Sequence, residues 1–481
     1  MSHLSVLCID GHGVGENEGV SADILGQAVA IAQLVKSHGG RALVVGGFVR
    51  DRLLGQRSKG LDLEVFGIRE ERLQALLEQL GRVEVVGQAF AVYKLGDVDV
   101  ALPRHESKTG RGHKGFTVTG DPTMTPEEAV RRRDFTINAI LWDPLTDEYL
   151  DPVNGRNDLA RRVLRVVDPA TFADDSLRVL RALQLAARFE LTVDEETLAI
   201  CRRIPLDDLP SERIWNEFEK LLLRAERPSI GFVLAREIGV TLALLPEMHA
   251  LIDCPQEPEW HPEGDVWVHT LMVIDQARQG NGDLDRARLA SIMLAAVCHD
   301  LGKPATTAVI DGRIRSLAHE EAGVEPATRL LDRLNVHSLD GFDVRAQVLG
   351  LTAHHLKPGA FYKVRDELTD GAFRRLALKV DMELLARIAK ADCRGRTGDF
   401  DCSAMDWFLE RARALGVEHK PPAPILMGRH LLELGMESGP AMGELLKAVY
   451  ELQLDGVVSD LEGAITRARE VLAEGPFSRR D

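Results

Sequence analysis

The sequence predicts an α+β protein in which a mixed head with a small sheet precedes a long helical body. Three observations carry this. Strand-like apolar runs cluster early: "RALVVGG", "GLDLEVFGI", "VEVVGQAFAVYKLGDVDVALP" and "AILWDPLTDEYLDP". After about residue 155 nearly everything has helical spacing, punctuated by Gly and Pro. The chain has 481 residues, too many for one core, so several domains are expected. Composition and punctuation divide it into a flexible lead (1–20), a head (21–152), a helical neck and body (153–255), a second helical domain (256–400) and a helical tail (401–481).

Bulk properties exclude several classes. Apolar residues make up 45%, as in ordinary globular proteins. No apolar run of about 18 residues occurs, so no membrane span is expected. The first residues lack the charged start and apolar centre of a signal peptide. The six cysteines are scattered, which fits a reducing cytoplasm and argues against a zinc finger or a disulfide framework. A net charge of −16 disfavours non-specific nucleic-acid binding by the whole body, while leaving room for a local basic patch.

In the head, "SADILGQAVAIAQLVKSHGG" reads as a helix with a glycine stop. Gly46 and Gly47 follow a strand and precede a helix-like "FVRDRLL", so backbone N–H groups there could approach a triphosphate. No Lys-Ser/Thr follows, so this is not a Walker loop; a tight structural corner is the competing reading. Arg50 offers a cation for phosphate, with Asp51 as its partner. Positions 60, 62 and 64 share one strand face, as do Asp97 and Asp99 in "LGDVDVALPR". Asp62, Glu64 and such neighbours could hold paired divalent ions for phosphoryl transfer, or could be the polar faces of edge strands. The alternation invites an acid at position 60, but the residue is Gly60. The stretch "PRHESKTGRGHKGF" carries Arg104, Lys108, Arg111 and Lys114 against Glu106 and reads as a mobile basic loop. Asp175, Arg178 and Arg181 recur every three residues along one helix face, either as a recognition set or as an N-cap acid with i,i+3 salt bridges.

Taken in order, "GGFVRDRLLG", "LDLEVFG", "DVALPR", "KTGRGHKGF", "RRRDFTINAI" and "DDSLRVLRALQLAARF" resemble the motifs of bacterial class II tRNA nucleotidyltransferases, the CCA-adding enzymes, with bacterial poly(A) polymerases as close relatives. The resemblance implies a polymerase-β-like nucleotidyltransferase head, Mg²⁺ as the transfer metal, CTP and ATP as donors and a tRNA acceptor end as partner. It implies that Asp62 and Asp99 are catalytic, and that Gly60 stands where the family's metal motif has its first aspartate. Glu64 lies ~6.8 Å further along the strand, a poor substitute. The resemblance also puts Arg133 and Asp134 at the sugar and base, with Asn138 nearby and Asp134 accepting from a ribose hydroxyl. Asp175, Arg178 and Arg181 would read the Watson–Crick edges of C and A. The acidic balance and the lack of a long basic tail favour tRNA over poly(A) addition.

The body carries an ordered series: His269, His299 with Asp300, His319, His354 with His355, and Asp392. Imidazoles and carboxylates converging from several helices suit a divalent metal. The series resembles the HD phosphohydrolase superfamily, which maps His269, His299, Asp300 and Asp392 onto the core ligands and His319 and His354 onto a second-metal set. That resemblance implies phosphoester hydrolysis at RNA ends. The tail also resembles the family, with His430 where an aspartate is more usual. A third reading keeps only the hydrolase active, with the Gly60 head binding RNA.

Overall fold

The computed structural model describes residues 22–58, 60–87, 91–108 and 116–474. The expected lead at 1–20, and Arg111 and Lys114 of the basic loop, lie outside them. Compactness divides the chain after Pro210, within the segment expected as one neck and body.

The first unit begins with the helix Ala22–Ser37, where the periodicity and the glycine stop predict one. A seven-stranded sheet follows. Its members are β1 (Arg41–Val45), β2 (Leu61–Phe66), β3 (Glu84–Val86), β4 (Val92–Leu95) and β5 (Val98–Ala101), and later β8 (Leu141–Trp142) and β9 (Tyr149–Leu150). The spatial order is β3-β4-β5-β2-β1-β8-β9. β2 pairs parallel with β5 and antiparallel with β1, so the sheet is mixed, as expected. The β-branched and leucine residues of the central strands are fully buried, among them Leu43, Val44, Leu63, Val65, Val98 and Val100.

Two strand expectations change. Asp97 lies in the turn between β4 and β5, so it does not share a strand face with Asp99. The basic stretch is not open loop at its ends: β6 (Arg104–Lys108) and β7 (Phe116–Gly120) pair as an antiparallel hairpin.

The second unit is helical except for one hairpin, Thr307–Ile310 with Arg313–Ser316. The helix Arg286–Cys298 is apolar nearly all round and buried along most of its length, which makes it the centre of the bundle. It packs against the helices Val266–Gly280, Val344–His354 and Met382–Arg394. All four begin with an aspartate N-cap: Asp265, Asp285, Asp343 and Asp381 each accept a backbone N–H three residues on. Each cap is worth about 0.5–2 kcal/mol and fixes where its helix starts. In the tail, His430 caps the helix Gly428–Glu433 by accepting the Met427 N–H on Nδ1, a role open to an aspartate as well.

One disulfide does form, between Cys393 and Cys402, against the expectation from scattered cysteines. The pair is nine residues apart and closes only because the chain turns back between the helices Met382–Arg394 and Ser403–Ala414. No described helix is long and apolar enough to cross a membrane.

Candidate nucleotide and metal sites

In the first unit, Gly46 ends β1 and caps the helix Gly47–Leu53 with φ +71°, a conformation that favours glycine. A Cβ there would stand 3.5 Å from Arg133 Nη1 and 3.8 Å from Asp62 Oδ2. The turn, the acid and the arginine therefore converge. Asp62 lies directly across from Asp99 in the parallel register of β2 and β5. Packing of protein around Asp62, and then the Asp99 charge beside it, raise the Asp62 pKa above the usual carboxylate range. Lys94 Nζ lies 3.1 Å from Asp99. Two carboxylates that repel each other on an open strand face suit a divalent ion, but no group of three such ligands forms at this site among the described residues. Gly60 marks the missing member. Its φ is ordinary, and a Cβ would meet only the Asp97 carbonyl, at 4.0 Å.

Glu64 does not fill that gap. It is buried and ion-paired with Arg132 and with Arg133, the latter at 3.2 Å. Several residues expected to touch nucleotide are instead held inside the protein. Arg50 is buried, donates to Asp51 and to Asn138 Oδ1, and lies 4.1 Å from the Phe189 ring centre. Asp134 is buried, with Oδ1 accepting from Phe135 N and Asn138 Nδ2, and Oδ2 from Arg181 Nε at 2.6 Å. Burial opposes its charge, but Arg181 together with the hydrogen bonds from Asn138 and Phe135 lowers the Asp134 pKa. In the structure these bonds occupy both carboxylate oxygens of Asp134, the residue expected at the ribose, and link Arg50 to it through Asn138. Arg178 donates to the Thr171 and Arg132 carbonyls. Asp175 accepts the Leu177 N–H just ahead of the helix Leu177–Phe189, whose N-cap position is Ser176. Asp62 is exposed, Gly47, Asp99, Asp175 and Arg181 are partly exposed, and Gly46 is buried.

In the second unit, five segments bring the histidine series together. His299 and Asp300 follow the central helix, and His269, His319 and Asp392 arrive on three others. Gly302 allows the approach: a Cβ there would lie 2.0 Å from the His319 carbonyl. Asp300 is shared by two ligand groups, with His269 and His299 on one side and His319 and His355 on the other. Its Oδ2 lies 3.2 Å from His299 Nε2, and its Oδ1 lies 3.3 Å from His319 Nε2. His299 Nε2 is buried and makes no hydrogen bond, as expected of an atom that a metal would satisfy. Asp392 Oδ1 is 3.0 Å from His269 Nε2.

His354 is a correction. His355 faces the cluster, with Nε2 3.3 Å from His319 Nε2, while His354 is only partly buried and joins no ligand group. One residue is 100° of helix, so adjacent histidines cannot share a face.

The charges are strongly coupled. Burial disfavours the Asp300 anion, yet His299 and Lys303 hold its pKa well below the usual value. Asp392 is likewise held low, chiefly by His269 against burial. His269 is raised to about 9, because Asp392 and Glu263 outweigh burial. His355 is lowered to about 4 by burial and then by His299. Such a set of buried anions and imidazoles suits a divalent cation.

Three family models match successive parts of the chain. Residues 42–165 match a "Poly A polymerase head domain", 190–252 a "Probable RNA and SrmB-binding site of polymerase A", and 266–391 an "HD domain". The multifunctional CCA protein of Xanthomonas oryzae pv. oryzae is 37% identical over 423 residues, covering 84% of this chain and 95% of its own. The chain belongs to the multifunctional CCA protein family. The Methylobacillus flagellatus member is 38% identical over 381 residues, covering 76% of this chain and 87% of its own. The fold is shared with a CCA-adding enzyme of Bacillus stearothermophilus in complex with CTP, with TM-score 0.60, 20% identity and coverage of 93% and 98%. It is also shared with a Thermotoga maritima CCA-adding enzyme complexed with tRNA, with TM-score 0.56, 19% identity and coverage of 95% and 97%. Within this CCA family chain, sequence reading missed His261, Glu263 and Lys303, and gave the ligand role to His354 rather than to its neighbour His355. Glu263 Oε1 contacts both His261 and His269, and Lys303 Nζ lies 2.8 Å from Asp300. The string "HPEG" reads as a domain break, and only its spacing before His269 hints at more.

Proposed function

We propose that this chain acts at the 3′ end of tRNA, adding C and A from CTP and ATP through its head and hydrolysing phosphoesters through its HD domain. One observation carries the transfer reading: Asp62 and Asp99 stand side by side next to the Gly46–Gly47 turn, in a chain with the family's head. In that reaction the RNA 3′-OH attacks the α-phosphate and pyrophosphate leaves. The turn offers backbone N–H groups to the triphosphate. Arg133, held by Glu64, keeps positive charge beside it. Asp62 and Asp99 would hold Mg²⁺, which supplies charge neutralisation at the phosphates. Action on tRNA with CTP and ATP would fit a cytoplasmic location.

Gly60 leaves this site one carboxylate short, and that favours a second reading, in which the head only binds nucleotide and RNA while the HD domain works. At the HD site, His269, His299, Asp300 and Asp392 would hold one divalent ion and Asp300, His319 and His355 a second. The metal supplies electrophilic polarisation and a lowered water pKa. For a 2′,3′-cyclic phosphate, the oxygen of water bonds to phosphorus, one P–O bond to ribose breaks, and the freed ribose oxygen takes a proton.

The test incubates tRNA lacking CCA with CTP, ATP and Mg²⁺, using the protein and its Gly60→Asp variant. Aspartate fits at position 60 without clash, so the variant is expected to extend the RNA ~10²-fold or more faster, the scale of one electrostatic contact at a reacting phosphate. Extension by neither protein sinks the transfer reading. Extension by the variant alone establishes the second reading.

A further inference from the structure

The HD ligands form the floor of a cavity of about 310 Å³, a size suited to one small ligand. Its walls are of two kinds. Lys303 and Arg396 are cationic, while Trp260, Ile314 and Leu356 are apolar. Trp260 is 50% exposed and Leu356 41% exposed at this opening. Among the described residues, the Trp260 indole has no recorded hydrogen-bond or ring partner. An apolar rim above a cationic wall and a metal-binding floor fits a ligand with a planar apolar end and an anionic end.

Both walls are held rigidly, and by shared contacts. Trp260 lies between Glu257, whose carboxylate accepts the Ile314 N–H at 2.9 Å, and His261, whose Nδ1 is 2.8 Å from Glu263. Arg313 also pairs with Glu259 at 3.2 Å. Arg396 lies between Gly395, where a Cβ would meet Val273 at 2.4 Å, and Thr397, whose N–H reaches Glu263 at 3.3 Å. Glu263 thus braces the tryptophan segment, the arginine segment and His269 together. Arg396 stacks on Phe400 at 4.4 Å, and its Nε is buried without a hydrogen bond.

We propose that Trp260 and Arg396 make the HD cavity selective for a phosphoester on a nucleoside, with the indole stacking on the base and the guanidinium binding the phosphate. This rests on the HD hydrolase reading.

The test compares adenosine 2′,3′-cyclic phosphate with the cyclic phosphate of methyl riboside, which lacks a base, on the metal-loaded full chain. The expected KM is about tenfold or more lower for the nucleoside, the scale of one base–aromatic stack. Trp260→Ala should erase that preference, raising the nucleoside KM to that of the base-free substrate, and Trp260→Phe should keep most of it. Arg396→Gln should raise KM on both substrates alike. Equal KM values for the two substrates in the wild type, or an intact preference in Trp260→Ala, would overturn the assignment. If the wild type hydrolyses neither substrate, the hydrolase reading fails separately. Calorimetric titration with adenosine 3′-phosphate and methyl riboside 3-phosphate then still reads base preference, and equal binding or none overturns the proposal.

Discussion

Replacing Glu64 by glutamine separates two roles that the sequence leaves open. In the structure Glu64 is a brace: its carboxylate is buried and shared by Arg132 and Arg133. The Arg133 contact is 3.2 Å, and the side chains are 5% and 16% exposed, so solvent screens the pair little. At an effective dielectric of about 20, its gross attraction is on the order of 5 kcal/mol. Desolvation offsets much of that, and breaking such a buried pair costs about 3–5 kcal/mol net. Glutamine keeps a hydrogen-bond acceptor, so about 3 kcal/mol is expected. That is roughly a hundredfold rise in local opening of β1 and β2. Native-state hydrogen exchange of those strand amides, read by mass spectrometry, reports this without requiring the whole chain to unfold in one step. Divalent-ion affinity at Asp62 and Asp99 should change far less than strand protection. Unchanged protection together with lost metal binding would refute the brace and make Glu64 the substitute for the acid missing at position 60.

Other outcomes follow from the same geometry. His355→Ala should lower phosphoester hydrolysis by ~10²-fold, on the scale of losing an electrostatic contact at the reacting centre, while His354→Ala stays within about threefold of wild type; steady-state rates decide. Asp134→Ala leaves Arg181, Asn138 Nδ2 and the Phe135 N–H without their acceptor, so it should destabilise the first unit by about 3–5 kcal/mol, measured by hydrogen exchange. Reducing Cys393–Cys402 opens a short loop, whose closure is worth about 3 kcal/mol by loop entropy; protection of residues 395–402 should fall on adding dithiothreitol and return on reoxidation. Chelation should abolish HD hydrolysis, and added divalent ion should restore it.

Much of this was legible along the chain. The main strand runs, the first helix with its glycine stop and the glycine turn are local signals, and they sit where the residues say they do. The ligand series was also readable, because five sequence-separated His and Asp positions rarely recur so regularly without a site. What stayed hidden was orientation. "LTAHH" presents two histidines, and only the phase of the helix Val344–His354 selects His355. "RRRD" presents three arginines and an acid in a row, yet Arg133 and Asp134 have different partners: Glu64 for one and Arg181 for the other.

The sequence by itself determined the family, the placing of a mixed head before a helical body, most of the residues proposed as metal ligands and the absence of an acid at Gly60, because all of these follow from residue type and spacing. Only the tertiary structure decided which polar groups face a ligand and which satisfy one another. It engaged Glu64, Arg50 and Asp134 inside the head, joined Cys393 to Cys402, and set Glu263 behind both walls of the HD cavity. The physical reason is that a buried charge must find its partner in space, and that partner is fixed by packing between segments far apart in the chain.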